Sequence, residues 1–175
     1  KCNIIIFTDK KSKFLFEEYK NTKKNIKIVV YELNEFYNYK YIEYWKKNHK
    51  NNNSLNHITG WELNMLWSEK ISFINKAIEL EFIDTEWCCW CDIGYFRTEE
   101  NGTLTSEQLK LWPSSDKILT LNKYKIYYGM SHNNINYLNT LKKICLNKNS
   151  IGLPINNIPL NQCSIAGGFF IIHKY

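Results

Sequence analysis

The sequence feature that most constrains the fold is an unbroken apolar run, WCCWC at Trp87–Cys91, which ends abruptly at Asp92. Gly94 and Arg97 follow shortly after it. An apolar run that does not alternate with polar residues is typical of a strand buried on both faces. In open α/β sheets, ligands bind in the crevice beyond the carboxyl ends of such strands. We therefore expect Asp92 to lie where a ligand binds.

The length and composition predict one globular domain over residues 1–175. Of the 175 residues 44% are hydrophobic, which is enough to bury a sizeable core and excludes the disordered class. No apolar run approaches the roughly 20 residues that cross a bilayer. Strand-like segments at residues 3–8 and 164–172 lie at the two ends, so we expect a fragment of a longer protein. We also expect a cytoplasmic location, in the cell or in a host cell, with peripheral membrane attachment as the alternative.

The net charge of +6 permits an anionic partner such as a nucleic acid, a nucleotide or a membrane surface. A bias towards Lys, Asn, Ile and Tyr, of the kind that A/T-rich coding DNA produces, explains the charge equally well. Asn34 is a good N-cap for the aromatic-rich segment 35–47. That segment offers a stacking surface for bases, but aromatic residues more often cover a core, and we favour the core.

The cysteines predict core packing in a reducing compartment in preference to a zinc site. Free cysteines are among the most buried residue types. The six cysteines are Cys2, Cys88, Cys89, Cys91, Cys145 and Cys163. Cys88 and Cys91 have CxxC spacing, but they lie in one predicted strand whose side chains alternate faces, so the pair does not support a metal site.

The order of elements predicts an α/β domain with a mainly parallel central sheet flanked by helices. Residues 3–8 and 26–33 read as strands and 11–20 as a helix. The segment from Thr59 to Glu62 has the form of a capping box and opens the best helix. An apolar stripe of helical period follows it, made of Leu63, Leu66, Trp67, Ile71, Ile74 and Ile78. Beyond the central strand we expect short strands at 117–121 and 125–128, a helix at 133–146 and a last strand at 164–172.

Three residues are candidates for binding a charged ligand. Asp92 can hold Mg²⁺ or Mn²⁺, which favour carboxylate, water and phosphate oxygens, or it can simply cap the turn after the strand. Arg97 can pair with phosphate oxygens or lie on the surface. Lys70 is unexpected on an apolar helix, where it either extends its ammonium to solvent or contacts a phosphate.

Backbone features supply the remaining candidates. Gly167 and Gly168 interrupt the last strand, which indicates either a bulge or a close approach to a ligand. Gly94 leaves room for a ligand near the backbone after Asp92. Asp9 ends the first strand, and an acidic residue there can accept a ribose hydroxyl.

Four stretches of the chain resemble the HtrL/YibB family of putative glycosyltransferases. They are IIIFTD at residues 4–9, WSEKI at 67–71, WCDIGYFR at 90–97 and AGGF at 166–169. The family occurs in bacterial surface-polysaccharide loci and in large DNA viruses. The resemblance implies a GT-A-like fold, incomplete at both ends, that binds a nucleotide sugar such as a UDP- or GDP-sugar.

The resemblance also implies roles for the candidate residues. In GT-A enzymes an Asp-x-Asp motif holds Mn²⁺ or Mg²⁺ against the donor diphosphate. Asp92 matches the first aspartate and Gly94 replaces the second, so metal dependence stays open. Lys70 and Arg97 would contact the diphosphate and Asp9 the nucleoside. Gly167 and Gly168 would line the donor or acceptor side of the cleft.

The function that we expect is transfer of a sugar from a nucleoside diphosphate sugar to a saccharide or glycoconjugate, with no specific nucleic acid as partner. The residues do not identify a general base. Two alternatives remain: a non-enzymatic domain that binds nucleic acid through basic and aromatic residues, and a degenerate transferase fold that only binds sugars.

Overall fold

A computed structural model describes residues 2–95, 107, 110–152, 154–159 and 164–175 of the chain. The described residues form a mixed α/β structure with two sheets. The chain divides into two compact units, Lys1–Cys88 with Lys174–Tyr175, and Cys89–His173. We call them the first and the second unit and describe each by itself.

The first unit opens with a strand–helix–strand segment, as the sequence predicts. Strand β1 is Ile4–Thr8, helix α1 is Phe14–Thr22 and strand β2 is Ile26–Val30. The two strands pair in parallel, with Ile4 opposite Ile26 and Thr8 opposite Val30. A helix between them is the usual way to connect parallel neighbours.

Short helical segments follow β2. Two 3₁₀ turns, Leu33–Glu35 and Tyr37–Tyr41, lead into helix α2, Ile42–Asn51. The predicted N-cap role of Asn34 is wrong, because Asn34 lies inside the first 3₁₀ turn. Glu32 takes that role instead, in a capping box with Glu35.

The long helix expected from Thr59 is two helices, α3 at Trp61–Ser68 and α4 at Lys70–Glu79. The predicted capping box at Thr59 is wrong, since Gly60 is the N-cap and no side chain caps α3. The Thr59 hydroxyl instead donates a hydrogen bond to the carbonyl of Leu55. Glu69 lies between them, as the C-cap of α3 and the N-cap of α4.

The core of the first unit is an aromatic cluster around Phe73 of α4. The Phe73 ring lies 4.9 Å from that of Phe7, 5.1 Å from that of Phe36 and 6.1 Å from that of Tyr31. Three further buried side chains continue this face of α3 and α4: Met65, Ile74 and Ala77. The buried face of the two helices therefore differs from the predicted apolar stripe.

Of the residues in that stripe, Leu66, Trp67 and Ile71 are exposed and only Ile74 is buried. The stripe assumed one uninterrupted helical period from residue 63 to residue 78. The buried residues Met65, Glu69, Phe73 and Ala77 instead recur at steps of four, so the period continues but the predicted stripe lies on the wrong face.

The second unit contains a three-stranded sheet. Strand β3 is Trp87–Cys91, and the unit boundary falls within it. Helix α5 is Ser115–Leu119, strand β4 is Tyr127–Met130, helix α6 is Ile135–Leu146 and strand β5 is Ile165–His173. The strand order is β3-β5-β4, and β5 pairs with β4 in antiparallel fashion. The helix expected at 133–146 is confirmed, whereas the strand expected at 117–121 is wrong because that segment is mostly α5.

The expectation of a mainly parallel sheet holds only for β1 and β2, because the sheet of the second unit is antiparallel. An antiparallel sheet needs cover on only one face. Along β3 the side chain of Cys88 is buried, whereas those of Cys89 and Cys91 are exposed. The prediction of a strand buried on both faces is therefore wrong. Because all five residues of β3 are apolar, the residue types do not show that buried and exposed side chains alternate along the strand.

The same correction applies to the cysteines. Cys88 packs in the core as predicted, but Cys2, Cys89, Cys91 and Cys145 are exposed, and Cys163 lies outside the described residues. Burial raises the pKa of the Cys88 thiol.

No helix in the described part of the chain has both the length and the apolar character to cross a membrane.

Candidate functional site

Asp92 lies directly after β3 in a tight turn. Its backbone N–H donates a hydrogen bond of 2.7 Å to the carbonyl of Gly168 in β5. Its own carbonyl accepts a hydrogen bond of 2.9 Å from the N–H of Tyr95. The turn that this bond closes contains Gly94. The predicted position of Asp92, at the carboxyl end of a strand, is confirmed.

The carboxylate of Asp92 is oriented by the tryptophan two residues before it. The indole Nε1 of Trp90 donates a hydrogen bond of 2.5 Å to Asp92 Oδ1. The Asp92 side chain is half-buried. A hydrogen bond to a charged acceptor is stronger than one between neutral groups, so Trp90 fixes the direction of this carboxylate.

A bulge in β5 faces the turn. Tyr128 pairs with Phe170 and Gly129 pairs with Ala166, so residues 167–169 have no opposite residue on β4. The bulge predicted from Gly167 and Gly168 is confirmed. Bulges re-aim the side chains next to them and are frequent beside active sites.

The two glycines of the bulge differ in their surroundings. A Cβ on Gly168 would lie 3.0 Å from Cδ2 of Tyr95 and 3.4 Å from Oδ2 of Asp92. A Cβ on Gly167 would meet no atom within 4 Å. Gly168 therefore provides the space in which Asp92 and Tyr95 pack against β5, whereas Gly167 has room for a side chain.

Aromatic rings support this arrangement. The ring of Tyr95 lies 5.3 Å from that of Phe169, and the ring of Trp112 lies 4.9 Å from Phe169 on β5. Sequence reasoning missed Trp90 and Tyr95 as parts of the site. The signal for Trp90 was its spacing, because residues two apart in a strand share a face.

A divalent cation is the cofactor that the resemblance implies, and the residues of this turn fit it in part. Mg²⁺ usually takes one or two protein carboxylates, with water and phosphate oxygens completing its coordination. Asp92 supplies one carboxylate with a fixed direction. Within the described ranges, no group of three or more His, Cys, Asp or Glu side chains is arranged to hold a metal. Asp92 can therefore act as the protein ligand of a cation that a diphosphate also coordinates.

Asp9, in the first unit, has a structural partner. Its Oδ1 accepts a hydrogen bond of 2.6 Å from the N–H of Ser12, and its carbonyl accepts one from Lys13. The hydrogen bond from the Ser12 backbone is the main cause that lowers the pKa of Asp9. Asp9 thus begins the turn that leads into α1.

The structure says less about the other two charged candidates, Lys70 and Arg97. Lys70 is the first residue of α4 in the first unit, and its side chain is half-buried. Arg97 lies outside the described residues. The roles expected for Lys70 and Arg97 at a diphosphate stay predictions.

Sequence reasoning also missed Glu69, which is fully buried in the first unit. One carboxylate oxygen accepts a hydrogen bond of 2.6 Å from the N–H of Tyr37. The other accepts bonds of 3.0 Å and 2.7 Å from the N–H and the side-chain amide of Asn38. The signal was its spacing of four residues from Met65 and from Phe73, both of which are buried.

Comparison with protein-family models found no family that matches the chain. Comparisons with curated proteins and with solved structures found no significant match either. The resemblance to the HtrL/YibB family therefore stays a prediction.

Proposed function

We propose that this chain is a GT-A-like glycosyltransferase domain related to the HtrL/YibB family. It transfers a sugar from a nucleoside diphosphate sugar to a saccharide or glycoconjugate. The observation that carries the proposal is the Asp92 carboxylate, which stands at the end of β3, is oriented by Trp90 and faces a glycine bulge. A cytoplasmic location is part of the same proposal.

Glycosyl transfer from such a donor needs positive charge near the leaving group. Negative charge develops on the diphosphate as the sugar departs, and a preorganised cation lowers that barrier. A Mn²⁺ or Mg²⁺ ion bound at Asp92 would supply this charge. Trp90 holds the carboxylate in place.

The test of this site is Asp92→Asn. Asparagine keeps the size of the side chain and an oxygen acceptor for Trp90 but removes the charge. We expect the variant to bind UDP- or GDP-sugars in the presence of Mn²⁺ about tenfold more weakly than the unsubstituted chain, as loss of a metal ligand predicts. Calorimetric titration with and without Mn²⁺ measures the effect.

Asp116→Asn is the matched control, since Asp116 is exposed in the first turn of α5. It is expected to bind the nucleotide sugar as the unsubstituted chain does. Equal affinity for the Asp92→Asn variant and the unsubstituted chain would contradict the site assignment. Binding without hydrolysis or transfer of the sugar would favour the degenerate, sugar-binding alternative.

Lys70 is tested separately by Lys70→Gln, with Lys76→Gln on the same helix as its control. Lys76 forms an exposed ion pair with Glu79 at 3.7 Å. If Lys70 contacts the diphosphate, its variant binds the donor more weakly and the Lys76 variant does not. The expected contact of Asp9 with the nucleoside is tested in the same way. Donor binding is measured after substitution of Asp9, with Glu18→Gln as the control.

A further inference from the structure

The first unit carries an exposed surface that the proposed function does not use. It is made of Tyr37, Lys40, Tyr41 and Tyr44, which we call the tyrosine–lysine surface. The three tyrosines are exposed to 61%, 50% and 61%. The expectation that the aromatic residues of segment 35–47 cover the core is therefore wrong for these three.

Exposed tyrosines so close together indicate binding. Tyrosine combines an apolar ring with a hydroxyl, which suits surfaces that contact a partially polar ligand. Single exposed apolar residues need no explanation, whereas a contiguous cluster marks an interaction site. Here three exposed tyrosines fall within eight residues of the chain, and Lys40 lies close to the rings of Tyr37 and Tyr41.

The buried Glu69 fixes the backbone that carries this surface. Its carboxylate accepts hydrogen bonds from the backbone of Tyr37 and Asn38 at the start of the second 3₁₀ turn. The indole of Trp45 donates a further bond of 3.1 Å to the Asn38 carbonyl. The backbone that carries the tyrosines is thus fixed before a ligand arrives, which reduces the entropy lost on binding.

Lys40 lies at the centre of this surface. Its ammonium is 3.6 Å from the ring centroid of Tyr37 and 5.1 Å from that of Tyr41. The nearby Tyr37 side chain is the main cause that raises the pKa of Lys40. No carboxylate lies within ion-pair distance of Lys40 among the residues that the structure describes. The surface therefore presents a cation beside the rings of two exposed tyrosines.

We propose that the tyrosine–lysine surface binds an acidic saccharide, with a sugar carboxylate at Lys40, sugar hydroxyls at Tyr37 and Tyr41 and a sugar ring against Tyr44. The binding itself depends only on residues of the first unit.

The position of Lys40 favours a saccharide over single-stranded nucleic acid. Proteins bind single strands chiefly by stacking bases on open aromatic faces. The Lys40 ammonium covers one face of Tyr37 and lies close to Tyr41. A saccharide does not need those faces, because its hydroxyls bond to the tyrosine hydroxyls and its anionic group pairs with the lysine.

The experiment compares a charged tetrasaccharide with its neutral methyl ester. Tetragalacturonate carries a carboxylate on each ring, and its methyl ester is neutral. Calorimetric or NMR titration of the whole chain is expected to show that the acid binds and that the ester binds at least fivefold more weakly. Raising the salt from about 0.02 M to about 0.2 M is expected to weaken the binding of the acid, since exposed charges are screened.

The variants are Lys40→Gln and the double variant Tyr37→Ala, Tyr41→Ala. Lys40→Gln is expected to lower the affinity for tetragalacturonate about fivefold, the scale of one exposed ion pair. The chain offers a matched control in Lys123→Gln and Tyr124→Ala. Lys123 lies 5.3 Å from the ring of Tyr124, which is 82% exposed, in the second unit. These controls are expected to leave the affinity unchanged.

The outcomes separate this inference from the proposed function. Donor binding that persists while tetragalacturonate fails to bind overturns the inference alone. Tetragalacturonate binding that depends on Lys40, in a chain that binds no nucleotide sugar, supports the inference and contradicts the proposed function alone. Tighter binding of an oligothymidylate than of tetragalacturonate, lost in the same variants, overturns the inference in favour of nucleic acid.

Discussion

The indole Nε1 of Trp90 donates a 2.5 Å hydrogen bond to Oδ1 of Asp92. The two residues are two positions apart, so the pleat of the strand brings their side chains to one side. The bond restricts the carboxylate to one orientation. A charged group that ends a strand is often free to turn into solvent, whereas this one is directed by its neighbour.

Replacing Trp90 by Phe is expected to weaken cation binding at Asp92 without removing the carboxylate. Groups that orient a metal ligand typically change metal affinity by about tenfold or more. The measurement is the amount of Mn²⁺ bound in the presence of UDP, followed by electron paramagnetic resonance of the free ion. Trp87→Phe, in the same strand but on its other face, is the control. If both variants bind Mn²⁺ equally, Trp90 does not orient the ligand.

Gly168→Ala is expected to destabilise the chain. The added methyl group would lie 3.0 Å from the ring of Tyr95 and 3.4 Å from the Asp92 carboxylate, so one of them must move. Overpacking of this kind costs about 1 to 3 kcal/mol. Urea unfolding followed by circular dichroism measures the loss in the free energy of unfolding.

Gly167→Ala is the matched control for that experiment, because its methyl group meets nothing within 4 Å. Its free energy of unfolding is expected to stay within about 0.5 kcal/mol of that of the unsubstituted chain. If the two alanine variants are equally stable, Asp92 and Tyr95 do not pack on Gly168 as described.

The parts of the fold that the sequence predicts are those with a local signal. The β1–α1–β2 segment has separate apolar and polar runs, and its elements form within a few residues of the expected bounds. Asp92 follows its strand because an apolar run ends there. The bulge at Gly167 and Gly168 is predictable since paired glycines weaken a strand pattern.

The parts that the sequence does not predict depend on distant partners. Glu69 is buried only because the backbone of Tyr37 and Asn38, about thirty residues away, supplies its hydrogen bonds. The antiparallel direction of β5 against β4 follows from the path of the chain between them, which apolar periodicity does not encode. The exposure of Cys89 and Cys91 has the same origin, because no residue type in β3 marks the uncovered face.

Glu69→Gln tests the anchor beneath the second 3₁₀ turn. An amide places a donor opposite the N–H groups of Asn38, so at least one buried hydrogen bond is replaced by a donor–donor contact. We expect a loss of about 2 to 4 kcal/mol in the free energy of unfolding. Glu79→Gln, an exposed position on the adjoining helix, is the control and is expected to change stability by less than about 0.5 kcal/mol. Similar losses in both variants would contradict the anchoring role.

Asp9→Ala tests the turn before α1 through its pH dependence. The pKa of Asp9 is lowered from its ordinary 3.8, mainly by the Ser12 backbone hydrogen bond. A lowered folded-state pKa means that the ionised carboxylate stabilises the folded chain above pH 3.8 and that this contribution is lost as the pH falls through the folded value. The difference in unfolding free energy between the unsubstituted chain and Asp9→Ala is therefore expected to shrink below that pH.

Glu18→Ala gives the baseline for that pH series, because it removes an exposed carboxylate of α1 that caps no turn. Urea unfolding at several pH values measures both variants. A difference between the unsubstituted chain and Asp9→Ala that stays constant down to low pH would show that the carboxylate does not stabilise the turn.

The thiol of Cys91 reports on the charge at Asp92. Cys91 is exposed, but neighbouring atoms desolvate its thiol in part; this desolvation and, next, the Asp92 carboxylate raise the pKa of Cys91. Only the thiolate is alkylated, so the rate of alkylation by iodoacetamide follows this pKa. Asp92→Asn is expected to lower the pKa of Cys91 and to speed its alkylation near neutral pH. A divalent cation bound at Asp92 together with UDP is expected to have the same two effects. Mass spectrometry of the labelled peptides measures the rates, with exposed Cys145 on α6 as the internal reference.

An unchanged rate at Cys91 in the Asp92→Asn variant would mean that the carboxylate does not act on the thiol. An unchanged rate with Mn²⁺ and UDP would count against a cation at Asp92.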